Sequence, residues 1–273
     1  MNKVIENSLY QTNPARFQEL RRYVGEFNTS YNGNNIIQDD IFNIVCNYVK
    51  KNGKHLVMFR FPVHDDDFCA FTCIREGKLF TVINSYLPIC KQIFAAGHEL
   101  YHIWRYISDS DDSLPNSGSL LTAEDLDEET AKQEDVEANA FAALLLAPQS
   151  AIIEQIDIYD INQKSIDLDA VVRLMDVFAI PFKAMVLRLY EEKIIDNRTA
   201  GLLLKEGVAE KVKRSMKKQN AAFRWQKRTA DLVDIGLLPL LLQENIEADC
   251  LPKRRIEEDV QVLKDLNVWE TEE

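Results

Sequence analysis

Residues 94–104, FAAGHELYHIW, constrain this chain more than any other stretch. His98 and His102 stand four positions apart, with Glu99 directly after the first. On an α-helix, residues at this spacing stack on one face, so both imidazoles can reach a common point from a rigid frame. Their neighbours are apolar (Ile93, Phe94, Ala95, Ala96, Ile103, Trp104), and Gly97 leaves room beside His98. A helix of this composition belongs in a core, where three uncompensated polar groups would be costly. In a short polar segment the same pattern would read as chance. Here a bound metal ion accounts for it better.

Zinc accepts neutral nitrogen donors in tetrahedral geometry and, in catalytic sites, keeps one position open. Glu99 is then placed to take a proton from an attacking water and pass it to a leaving amine. A third ligand must come from elsewhere, and Glu134, Asp135 and Glu137 are the candidates. Asp135 and Glu137 are two apart, so they point to different faces and cannot both ligate. Asp135 shares its face with Ala138 and Ala142, small residues that permit close helix approach, whereas Glu137 shares its face with Phe141. Glu134 lies further back. Any one of these acids also fits a solvated helix N-terminus, where the dipole favours it.

The rest of the chain predicts an α+β fold. Short runs rich in β-branched and aromatic residues at 55–63, 67–76 and 78–87, separated by acidic and Gly-containing turns, read as a small antiparallel sheet. Helices are expected at 13–26, 38–51, 88–106, 131–148, 149–156, 166–178, 181–193, 196–219, 220–235 and 253–266. The acidic stretch 108–130 reads as a long surface loop. We expect an N-terminal helix and linker (1–35), a central domain (36–200) and a helical C-terminal extension (201–273). The strand just before the histidine helix, LFTVINSYL, would serve as an edge for an extended peptide, or else lie inside the sheet.

Two segments together carry a family resemblance: INSYLPICKQIFAAGHELYHIW (83–104) and EDVEANAFAALLLAP (134–148). With Ala138, Asn139, Phe141, Ala142, Leu145 and Pro148 in place, the second is similar to the E-x-x-A-N-x-F-A-x-x-L-L-x-P helix of the ImmA/IrrE zinc metallopeptidases. The resemblance spans about 38–198. It implies a zincin-like helical core carrying a Zn2+ ion, with His98 and His102 as ligands and Glu99 catalytic. Counting back from Ala138, the family's glutamate ligand falls on Asp135, a shorter acid, so the helix must come closer or a neighbouring glutamate must ligate. The resemblance also implies a cytoplasmic endopeptidase whose substrate is a helix-turn-helix transcriptional repressor. A different class of protein on the same scaffold would be a non-catalytic or toxin-like partner that docks such a regulator without cutting it.

Composition narrows the alternatives. A net charge of -12 argues against a general nucleic-acid binder. Against that average, residues 205–228 hold nine basic and two acidic residues, with Phe223 and Trp225 interleaved; we read this as a docking surface for acidic groups, such as the 109–129 loop or a regulator protein. The five cysteines are odd in number and scattered, as in a reducing compartment. The N-terminus has no apolar core of a signal peptide, and the longest apolar runs are too short to span a bilayer, so no membrane association is expected. His55, His64, Tyr101 and Tyr106 lack matched partners and are read as structural.

Overall fold

The computed structural model describes residues 2–31, 36–108, 119–122 and 133–269. The chain opens with two short helices, α1 (Lys3–Asn7) and α2 (Leu9–Thr12), which the pattern analysis did not anticipate. Helix α3 (Pro14–Tyr31) follows, with the Asn13 side chain accepting from the Arg16 amide at 3.1 Å as an N-cap. It runs beyond the expected end at 26 because its apolar stripe continues: Phe17, Leu20, Val24 and Phe27 are buried. At its end, Phe27 and Tyr31 both pack on Tyr48 of α4 (Ile41–Lys51), their ring centroids 5.1 and 5.2 Å from it.

Three strands come next: β1 (Leu56–Phe61), β2 (Phe68–Arg75) and β3 (Lys78–Asn84). Both Glu76 and Gly77 have positive φ (52° and 74°), the backbone of a type I′ turn, and so join β2 to β3 as a tight antiparallel hairpin. The link from β1 is different. Residues 62–67 include Pro62 and three successive aspartates, and they carry the chain across the sheet rather than back along β1. Consequently β1 pairs with β3 in parallel, from Leu56↔Leu79 to Phe61↔Asn84. The sheet is therefore mixed, not wholly antiparallel as expected.

After α5 (Ile89–Ser108), the stretch expected to be only a loop contributes a further strand, β4 (Ser119–Thr122), antiparallel to β2. The order is β1-β3-β2-β4. Strand β3 is thus interior, and the edge role considered for LFTVINSYL is excluded; the edges are β1 and β4. The other residues of the 108–130 stretch, beyond Ser108, lie outside those described.

Helices then dominate: α6 (Gln133–Leu146), α7 (Gln149–Ile158), α8 (Leu168–Phe178), α9 (Phe182–Glu191), α10 (Asn197–Glu206), α11 (Ala209–Lys218), α12 (Ala222–Gln226), α13 (Leu238–Glu247) and α14 (Lys253–Asp265). The helix expected over 196–219 is broken at Gly207. A Cβ there would stand 2.2 Å from Phe182 Cε1, so only glycine lets the chain turn against that ring.

The helix expected over 220–235 ends at Gln226 for a different reason: the sheet captures the backbone beyond it. Arg228 bridges to Pro88, while Asp234 exchanges hydrogen bonds of 2.7 and 2.6 Å with Arg60 on β1. Of the apolar run 233–242, Ile235 and Leu242 join a small cluster with Leu263, Phe59 and Phe61, whereas Leu237, Leu240 and Leu241 remain exposed.

The main core is continuous from Val4 to Ala221. At its centre α5 and α6 lie against each other, and α5 also packs on β2 and β3. The two helices approach closely because both present small residues. A Cβ added to Gly97 would lie 3.2 Å from Ala142 Cβ, tighter than ordinary contact. No single helix among the described residues is long and apolar enough to cross a membrane.

Candidate metal centre

Helix α5 carries His98, Glu99 and His102 into this packed region, where all three are buried. The two imidazoles meet through their Nε2 atoms, 3.1 Å apart. Two nitrogens held about 2.05 Å from one tetrahedral ion would be separated by about 3.3 Å, so the observed spacing suits a shared cation.

The outer nitrogens support that reading. His98 Nδ1 lies 2.9 Å from Asn139 Oδ1 on α6, and that oxygen can only accept. In neutral His98 the proton therefore sits on Nδ1 and the Nε2 lone pair faces inward. His102 Nδ1 faces Glu134 Oε1 at 3.6 Å, which favours the same tautomer there. Two inward lone pairs at such short range repel unless a positive charge lies between them.

Helix α6 also supplies the acid. Asp135 Oδ1 is 3.7 Å from His98 Nε2, and the donor atoms of His98, His102 and Asp135 all fall within 4.8 Å of one another. The other two acids are directed elsewhere. Glu137 Oε2 accepts from Tyr101 Oη at 2.6 Å and from Arg16 Nε at 2.9 Å. Glu134 is exposed and addresses the outer nitrogen of His102, with Arg105 also 3.6 Å from it. Of the three sequence candidates, only Asp135 reaches the inner face. The small residues of α6 explain how the shorter acid gets there, since Ala138 and Ala142 are both fully buried against α5.

Electrostatics follow from burial. Desolvation, with His102 adjacent, pushes the His98 pKa down to about 3, so its imidazole is neutral and available as a donor. Burial acts the same way on His102, but Glu134, Glu99 and Asp135 around it outweigh that and raise its pKa. Burial pushes Glu99 up to about 7. Neither Glu99 carboxylate oxygen has a hydrogen-bond partner among the described residues; the nearby Thr72 hydroxyl is shared with Thr81 at 3.0 Å. A fully buried carboxylate without a partner is expensive to maintain. Two imidazoles and a carboxylate, converging beside such a group, form a donor set that suits a divalent ion.

Asn139 was visible in the sequence only as part of a family-like motif, without a role. Its signal was its position, four residues after Asp135 and hence on the same helix face. As the partner that fixes the His98 tautomer, it is expected to matter to the metal: Asn139→Ala should weaken metal binding by about 10–100-fold, measured by competition with a chromogenic chelator. Unchanged affinity would show that the ring is held by packing alone.

The remaining candidates lie apart from the centre. Tyr101 is spent on Glu137. His64 stacks edge-on to Tyr86 with centroids 4.6 Å apart, and Lys54 sits over the Tyr106 ring. In the basic segment, Lys218 pairs with Asp169 at 2.5 Å, Trp225 Nε1 donates to Asp176 at 3.1 Å, and Arg228 is bidentate to Asp66. Acidic neighbours within the fold thus occupy part of this surface.

A search of curated proteins finds no match to the chain. A family model does match: the peptidase M78 family, described as the IrrE N-terminal-like domain, aligns with residues 40–190. That span runs from α4 through α9 and contains both helices of the metal centre. More than half of the sequence is thereby covered, and the chain belongs to this family of metallopeptidase-type proteins.

Proposed function

We propose that the protein is a zinc-dependent endopeptidase acting in the cytoplasm on a helix-turn-helix transcriptional repressor. One observation carries the enzymatic part: a buried convergence of His98, His102 and Asp135 next to a carboxylate, Glu99, that has no structural bond to make. In this reading the first three residues hold the ion and Glu99 is the general base. The ion, when bound, supplies a Lewis acid that polarises a carbonyl and makes water acidic enough to attack at neutral pH.

Each side chain then has a task. Asn139 and Glu134 orient the two imidazoles from their outer nitrogens. Glu99 accepts the proton of the attacking water at its carboxylate and returns it to the leaving amine nitrogen. Its upward-shifted pKa suits both halves of that exchange. Close packing of α5 on α6 fixes the donors without a mobile loop. An extended substrate would be served by β4, the edge strand bordering β2, whose Thr72 neighbours Glu99. The repressor as substrate follows from family membership and from the narrow specificity expected of a regulatory protease.

The test is incubation of the metal-loaded full chain with a candidate helix-turn-helix repressor, with the fragments identified by mass spectrometry. Cleavage at one site, abolished by a chelator, is the expected result. Tight binding with the repressor left intact would instead support the non-catalytic docking reading.

A further inference from the structure

A cavity of about 410 Å³ opens on the side of the metal centre away from the histidine Nε2 atoms. Its deepest residues are Phe94, on α5 one turn before His98, and Asn139, which holds His98 Nδ1; they are 2% and 4% exposed. Phe182 and Met216 form apolar walls. Two lysines complete the lining: Lys183 is half-buried at the start of α9, and Lys213 projects from the basic helix α11. The acid nearest Lys213 is Glu210 at 4.0 Å, itself 86% exposed, a pairing too loose to claim the ammonium group.

We propose that this cavity binds a small amphipathic anion, an apolar body with one carboxylate or sulfonate group, and that the ligand regulates the metal centre through Asn139. The size and the largely apolar lining match small-molecule sites, in which a few polar groups fix orientation. Charge complementarity selects the class. In a cavity with two cationic side chains and none that is acidic, an apolar body fills the interior while its anionic group meets Lys183 and Lys213. A neutral apolar molecule would forgo those contacts, and a bare anion would forgo the burial.

The regulatory consequence comes from the floor. A ligand touching Asn139 bears on the amide oxygen that fixes the His98 ring, and a positioning group of this kind modulates metal affinity. The site also gives part of the basic segment a use that its salt bridges to Asp169 and Asp66 do not. This coupling rests on His98 being a metal ligand; binding in the cavity does not, so the two can fail separately.

The experiment uses the full chain and the fluorescent anion 1-anilinonaphthalene-8-sulfonate. Saturable binding is expected, displaced by octanoate but not by octanol or inorganic phosphate at the same concentrations. Lys183→Glu with Lys213→Glu should weaken the probe by at least about tenfold. Ala209→Trp, which fills the cavity from an exposed wall position, should do the same without disturbing the core. In wild type, octanoate should also shift Zn2+ affinity by about fivefold or more, an effect lost in Ala209→Trp. Unaltered probe affinity in both variants, or equal displacement by octanol, would overturn the site. Displacement with no change in Zn2+ affinity would overturn its regulatory role.

Discussion

Glu99→Gln is expected to reduce peptide cleavage by about 10²–10⁴-fold while leaving the bound-metal content unchanged. The substitution keeps the shape of the side chain and removes only its ability to accept and return a proton. It breaks no bond within the fold, because neither carboxylate oxygen has a partner among the described residues. It also removes a charge that burial already disfavours, so the folded state should be no less stable. Loss of activity with unaltered metal and melting temperature would therefore locate the defect in proton transfer. Retention of activity within a factor of a few would assign the base elsewhere and leave Glu99 unexplained.

A second large effect is expected far from the reacting atoms. Arg188 on α9 is 1% exposed. Its Nε and Nη2 atoms both donate to the Ala147 carbonyl at 3.1 Å, at the end of α6. Nη1 donates to Glu191 at 2.7 Å, and Nη2 to Glu192 at 2.5 Å. Arg21 of α3 completes the network by reaching the second Glu192 oxygen at 2.6 Å. One guanidinium thus ties α9 to the helix that carries Asp135 and Asn139.

Arg188→Met would leave two buried carboxylates without their main counter-charge. Burial already pushes Glu191 upward in pKa despite Arg188. Breaking a buried pair in this way costs about 3–5 kcal/mol, a large part of the 5–15 kcal/mol typical of a folded domain. Urea denaturation should show a lower midpoint with the same slope. Replacing Glu191 and Glu192 by leucine in the same background should recover most of the loss, since an apolar cluster can take the place of a buried ion network. A shift under about 1 kcal/mol in Arg188→Met would mean that the network contributes little.

What the sequence revealed and what it hid divide by range. The histidine pair was legible because helical geometry is local: four residues place two side chains on one face whatever surrounds them. The apolar neighbours foretold burial of α5, and Ala138 with Ala142 foretold the close approach that brings Asp135 inward. Choosing among Glu134, Asp135 and Glu137 needed the structure, because Arg16 and Tyr101, which engage Glu137, come from other helices.

Strand order was hidden for a related reason. Alternation and turn residues located β1, β2 and β3, and the β2–β3 hairpin could be read from its Glu76-Gly77 turn. Nothing local shows that the chain crosses from one side of β3 to the other before β2 begins. Strand β4 lay hidden in an acidic, turn-rich stretch because its pairing partner supplies the order that its own composition does not. Residues 227–235 carried a helical pattern, yet their backbone was taken by Arg60 and by the residues just before α5. Thr229, for example, accepts from Gln92 at 2.6 Å and donates to the Ser85 carbonyl at 2.8 Å. Such non-local hydrogen bonds override a weak helical preference.

The most direct test of the account is elemental analysis of purified protein after reconstitution with Zn2+, comparing wild type with His98→Ala, Asp135→Ala and Glu137→Ala. The shared site requires about one tightly held ion per chain in wild type and Glu137→Ala, and a loss of tight binding in the other two. Metal-free wild type, or an ion that survives Asp135→Ala but not Glu137→Ala, would contradict it.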